Sequence, residues 1–120
     1  MANEAHITVD LSFAKGSVAR VGPGPKSIQA AVAGTRHYYG VQNVGLVEEV
    51  LGKGDVGTIG WCYLRNLDVT NFVKVRPAAG AADFSKLLAG EVFVGRIAAA
   101  APTIIADTAA CDVEVFIVEA

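Results

Sequence analysis

The side chains that could do chemistry in this sequence are few, and they stand apart. Its two histidines, His6 and His37, lack acidic neighbours at a spacing that would make a local acid–base pair. Around His6, Ile7, Val9, Leu11 and Phe13 alternate with His6, Thr8, Asp10 and Ser12, so His6 falls on the polar face and reads as a solvated side chain. His37 precedes Tyr38 and Tyr39 and is the more open of the two. A hydrolytic site would have to gather His37, Asp107 and a Ser or Cys from across the fold. No Gly-x-Ser-x-Gly elbow marks the nucleophile.

Carboxylates give no stronger signal. Asp107 and Asp112 flank residues 108–111, but calcium needs about six oxygens, so they read as turn caps before a last strand. Adjacent Glu48 and Glu49 point to opposite faces of an extended chain, which removes them as a paired acid and base. The runs Gly52-Lys53-Gly54 and Gly22-Pro23-Gly24-Pro25 look like phosphate loops, yet neither opens a helix whose backbone N–H groups would hold the anion. Cys62 and Cys111 lie inside apolar runs, are not spaced as metal ligands, and read as unpaired thiols. No catalytic residue, metal site or cofactor is expected. Tyr38, Tyr39 and Trp61 would suit a sugar-stacking platform, but their place in β-prone runs fits packing better. Tyr38 and Tyr39 are the candidate interface residues.

The elements that would position these groups are strands. Residues 6–13 alternate at period 2; residues 15–26, broken by the Gly-Pro-Gly-Pro run, read as a loop or bend between strands; residues 27–33 lean to strand. Residues 35–44 form a β-prone run in which Gly40 suggests a bulge. Residues 57–75 read as a β-hairpin whose turn, Asn66-Leu67-Asp68-Val69-Thr70-Asn71, is built by side chains bonding their own backbone. Residues 84–88 and 91–97 read as a second hairpin about Ala89-Gly90, and residues 103–106 and 113–118 close the chain as strands. The Ala-rich stretch at 98–101 is too short to nucleate a helix before Pro102. About eight strands at this spacing predict an all-β chain: a single β-sandwich over residues 1–120, jelly-roll or immunoglobulin-like, with residues 1–6 a candidate flexible N-terminal arm.

At 120 residues the chain is the size of one domain with one core. Hydrophobic residues make up 52% and charged residues 18%, leaving apolar surface that Ala and Gly expose cheaply or that an interface covers. A net charge of −2 with scattered basic residues argues against nucleic acid as a partner. No apolar run approaches a membrane span and the N-terminus is polar, so a cytoplasmic origin is expected.

One segment carries a resemblance. Ile59-Gly60-Trp61, Arg65-Asn66-Leu67-Asp68, Thr70-Asn71-Phe72-Val73, Phe84, Leu87-Leu88-Ala89-Gly90-Glu91-Val92 and Ala106-Asp107-Thr108-Ala109-Ala110 together resemble a group of small virion proteins of tailed bacteriophages. The likeness covers roughly the C-terminal half. It implies a non-enzymatic structural protein of the virion, assembled in the host cytoplasm: a capsid decoration or cement protein that binds the major capsid protein or another virion protein. It also implies a homo-oligomer, such as a trimer. The alternative is a carbohydrate- or receptor-binding β-module of a head fibre or tail, using Tyr38, Tyr39 or Trp61. The family supplies no catalytic residues to carry over. The working surface is expected in the unmatched N-terminal half and the outer loops.

Overall fold

The computed structural model describes residues 4–120, and all of its regular structure is β. The chain divides into two compact units, Met1–Ala33 and Gly34–Ala120. The expected two-layer sandwich is present, and the second unit builds it without the first.

In the first unit, β1 (Ala5–Val9) pairs antiparallel with β4 (Lys26–Ala30), and β2 (Phe13–Lys15) pairs with β3 (Val18–Val21). Chain order makes this one long two-stranded ribbon that turns at Gly16-Ser17. The strand expected over residues 6–13 is therefore interrupted at residues 10–12. Gly22 lies opposite the interruption; a Cβ there would sit 2.5 Å from the Leu11 carbonyl oxygen, so only glycine lets the two chains approach. Of the expected N-terminal arm, residues 1–3 lie outside the described residues, whereas Ala5 and His6 are strand residues paired with Ala30 and Gln29. The Glu4 carboxylate accepts the Val32 N–H at 2.9 Å. Residues 4–6 are thus held by ladder and side-chain bonds.

The second unit holds β5 (His37–Val44), β6 (Glu49–Val50), β7 (Ile59–Asn66), β8 (Val73–Arg76), β9 (Ser85–Leu87), β10 (Val92–Arg96), β11 (Thr103–Ala106) and β12 (Cys111–Glu119). They form two four-stranded antiparallel sheets, ordered β10-β7-β12-β5 and β6-β11-β8-β9. The inward positions of the first sheet, Val44, Cys62, Leu64, Val113, Val115 and Ile117, meet Val73, Val75, Leu87, Ile104 and Ala106 of the second in one core. Each fully buried Val, Leu or Ile contributes about 1.5–3 kcal/mol relative to exposure. Both thiols are free and buried, and burial alone pushes the Cys62 pKa up to about 12.

The two expected hairpins are corrected by this topology. β7 and β8 belong to different sheets, and so do β9 and β10. Both polar connections carry the chain from one layer to the other. A run apolar on one face and followed by a turn fits either geometry, because pairing with the neighbour in sequence and packing across from it demand the same alternation. The β7–β8 crossing is held as the turn residues suggested. Asn66, fully buried, donates from Nδ2 to the carbonyls of Asn71 and Leu87 at 2.9 and 3.1 Å, and its Oδ1 accepts the Asp68 N–H at 3.0 Å. Asp68 in turn accepts the N–H groups of Thr70 and Asn71. These backbone bonds hold the Asp68 carboxyl below its usual range. Gly40 marks no bulge, since the β5–β12 register is continuous from Val44–Cys111 to His37–Val118. A Cβ at Gly40 would instead strike the Tyr38 hydroxyl at 2.7 Å, so this glycine makes room for that ring.

Candidate functional site

Strand alternation sends Tyr38 and Tyr39 to opposite sides of β5. Tyr38 turns inward and packs on the core, its ring beside Gly40, Gly52 and Gly54. Tyr39 turns outward, 62% exposed. The structure therefore separates the two expected interface residues and leaves Tyr39 on the outer face of the β10-β7-β12-β5 sheet.

The register across that sheet brings Val94, Tyr63, Phe116 and Tyr39 into one row and Val92, Arg65, Glu114 and Val41 into the next. The Tyr39 and Phe116 rings meet edge to face with centroids 5.9 Å apart. Beneath them Glu114 accepts hydrogen bonds from the hydroxyls of Tyr39 and Tyr63, the latter at 2.9 Å. The Tyr39 bond, then the Tyr63 bond, holds the Glu114 carboxyl below its usual range. The same contact pushes the Tyr39 phenol up, while burial and then Glu114 push up Tyr63. At neutral pH the carboxylate is thus ionised and both phenols keep their protons. That arrangement moves no proton; it braces two rings in fixed positions. In the same sheet the Arg96 guanidinium stacks on Trp61, 4.9 Å from its ring centroid. Around the braced trio Val41, Val92, Val94 and Phe116 stay exposed.

The outer face of the other sheet is of opposite character. Arg76 bonds Asp83 at 2.6 Å and Glu48 at 3.0 Å, and Glu48 also accepts the Thr103 hydroxyl and the Gly80 N–H. The Thr103 bond leads in holding the Glu48 carboxyl down. Lys74 and Lys86, directly paired in register, share the Phe72 ring at 5.7 and 4.2 Å. This face is charged, and its charges are answered within the chain. The first face carries Arg65, Arg96 and Glu114 as well, and between them it exposes Tyr39, Val41, Val92, Val94 and Phe116.

The remaining sequence candidates are not gathered into a site. His37 pairs with Val118, whereas Asp107 precedes Cys111, the partner of Val44; the two lie at opposite ends of the β5–β12 ladder, roughly 20 Å apart. His37 instead neighbours Phe116. Asp107 accepts the Thr108 hydroxyl and Asp112 accepts the Asn43 amide, so they diverge. Glu49 bonds Gln42 and the Gly45 N–H, away from Glu48. Among the described residues no three His, Cys, Asp or Glu side chains cluster as metal ligands. A cleft of about 260 Å³ lies between the 53–59 and 97–100 segments. Its one charged group, the Lys53 ammonium, already donates to the carbonyls of Gly57 at 2.9 Å and Ala100 at 3.5 Å.

Sequence reasoning passed over Phe116, Glu114, Tyr63 and Val41. The available signal was Phe116 on the face of β12 that alternation assigns to solvent, a large aromatic where a polar residue is expected. No family model, curated protein or solved structure matches the chain.

Proposed function

We propose that this chain is a non-enzymatic structural protein of a bacteriophage virion, a capsid decoration protein that binds the head shell through the outer face of the β10-β7-β12-β5 sheet. The observation that carries the proposal is the contrast between the two outer faces. One meets its Arg76 charge with Asp83 and Glu48, and the other presents Tyr39, Val41, Val92, Val94 and Phe116 to solvent beside Arg65 and Arg96. A patch of exposed apolar side chains braced by the Glu114 hydrogen bonds suits repeated contact with a shell, where the work is done by area removed from water at many equivalent sites. The virion assignment itself rests on the resemblance of residues 59–73, 87–92 and 106–110.

Sedimentation of purified chain with heads of the phage that encodes it tests the proposal. The wild type is expected to pellet with the heads, and the Tyr39→Ala/Phe116→Ala variant to stay in the supernatant. Wild-type protein that remains soluble beside intact heads overturns it.

A second reading has its own observation: Tyr39 and Trp61 share one face with a carboxylate, the furniture of a sugar-binding platform. Glycan-array binding lost in Tyr39→Ala, without head binding, would favour this reading over decoration.

A further inference from the structure

We infer that one end of the sandwich, where the chain crosses between its two sheets, is a docking surface for a protein partner that offers an apolar pocket rimmed by Lys or Arg. The crossings at residues 45–48, 67–72, 88–91 and 107–110 all lie at this end, because β5 and β7 finish where β10 and β12 begin, and β9 and β11 finish where β6 and β8 begin. Backbone bonds stitch the crossings together. The Ala106 N–H donates to the Gly45 carbonyl at 2.9 Å, the Asp107 N–H to Phe72 at 3.2 Å, and the Gly90 N–H to Asn66 at 2.9 Å.

Three of these loops hold large apolar side chains in water. Val69 is 90% and Val47 80% exposed, and Leu46, Leu67 and Leu88 are about half exposed. Together they offer on the order of 500 Å², a size at which a surface patch is often functional. The other end of the sandwich hides its large apolar loop residues: Leu51, Val56 and Ile97 are buried, and Phe84 packs edge to face on Phe93. The exposing loops are also braced. Glu49 accepts the Gly45 N–H, Asp68 those of Thr70 and Asn71, and Glu91 that of Leu88, so their backbone has little freedom left to lose when a partner covers it.

Charge selects the occupant. The four loops contain no Lys or Arg, whereas Asp68, Glu91 and Asp107 lie on them and Asp112 just inside β12. Among the described residues none of these four carboxylates has an ion-pair partner. Cations begin only inside the strands, where Lys74 and Lys86 lie over the Phe72 ring and Arg65 pairs in register with Glu114. A partner that is apolar at its centre and basic at its rim answers both features. A second copy docked end to end, or an anionic bilayer, would set like charges against each other.

This end lies off the Tyr39 face, so the inference stands or falls separately from the decoration proposal. Titration of the isotope-labelled full chain with synthetic peptides, read by amide chemical shifts, tests it. A peptide alternating Leu with Lys is expected to shift the amides of the four crossings. Peptides alternating Ser with Lys or Leu with Glu should bind at least about tenfold more weakly. Val47→Ser/Val69→Ser is expected to weaken the Leu/Lys peptide about tenfold with an unchanged unfolding midpoint, and Tyr39→Ala/Phe116→Ala to bind as the wild type. Shifts confined to other surfaces, or a Leu/Glu peptide bound as tightly, overturn the inference. So does pelleting with phosphatidylcholine vesicles, or concentration-dependent self-association, that the Val47/Val69 variant abolishes, since either assigns this end to a bilayer or to a second copy.

Discussion

The ribbon of residues 5–30 and the sandwich of Gly34–Ala120 are written in the same code and come to opposite ends. Residues 6–13 and 111–115 both alternate apolar with polar side chains, and both contribute antiparallel strand, the first broken at residues 10–12. In β12 the apolar positions Val113, Val115 and Ile117 are buried under a second sheet; in the ribbon Val9, Leu11 and Phe13 remain in water. Alternation decides which face is apolar, and only a second layer turns that face into core. The sandwich carries its second layer within the chain. The ribbon has no second layer among its own strands, and none of its described residues is buried.

Equal-chemistry truncations in the two regions break this comparison most directly. Leu64 is 0% exposed at the centre of the core, whereas Leu11 is 72% exposed. Leu64→Ala is expected to cost about 2–5 kcal/mol, and Leu11→Ala within about 0.5 kcal/mol of zero at concentrations where the chain is monomeric. Urea unfolding followed by far-ultraviolet circular dichroism measures both. Similar losses would show the ribbon to be as well packed as the sandwich, and the distinction would be lost.

The next test asks whether the crossing between sheets is held by Asn66. Replacement by Ala strands the Asn71 and Leu87 carbonyls and the Asp68 N–H inside or at the edge of the core. An unsatisfied buried polar group costs about 1–3 kcal/mol, so Asn66→Ala is expected to lose roughly 2–4 kcal/mol. Thr70→Ala, whose hydroxyl takes no part in that network, should lose less than about 0.5 kcal/mol. Unfolding midpoints for the two variants give the ratio. A neutral Asn66→Ala would mean that the connection is held by packing alone.

The legibility of the molecule follows the same division. Most strand positions, the β class and the side-chain-built turn at residues 66–71 were readable, because period-2 alternation and Asx bonding are local and need no knowledge of the partner; β3, inside residues 15–26 that read as a loop, was not. Sheet membership was not readable. Residues 57–75 and 84–97 look like hairpins in sequence, yet β7–β8 and β9–β10 each span the two layers, since nothing local says whether a polar turn returns the chain beside itself or across the core. The candidate surface was half legible. Tyr39 was singled out, but its neighbours Phe116, Tyr63 and Glu114 join it only through the β7-β12-β5 register, which is long-range information. Tyr38 was singled out with it, although strict alternation already places adjacent strand residues on opposite faces.

Acid gives the smallest and most diagnostic contrast between the regions. The carboxyls of Glu48, Asp68, Glu114 and Glu119 all lie in Gly34–Ala120, and each is held below its usual range by hydrogen bonds to its ionised form. Glu119 shows the architecture: its carboxylate on the last strand accepts the Gly57 N–H at 3.0 Å and the Thr35 N–H at 3.2 Å, the Gly57 bond leading the shift. A carboxyl depressed in the folded chain contributes stability above its unfolded pKa of about 4, and that contribution is lost as pH falls through the lower folded value. The urea midpoint of the sandwich is therefore expected to hold from neutrality to about pH 5 and to fall below about pH 4. Glu119→Gln should lower the neutral-pH midpoint and shrink the acid fall, because an amide keeps one acceptor oxygen but no charge to lose. These bonds tie loops to the sandwich, and none involves the paired residues of β1 and β4. An acid fall left unchanged in Glu119→Gln would mean that this carboxylate contributes nothing to the transition.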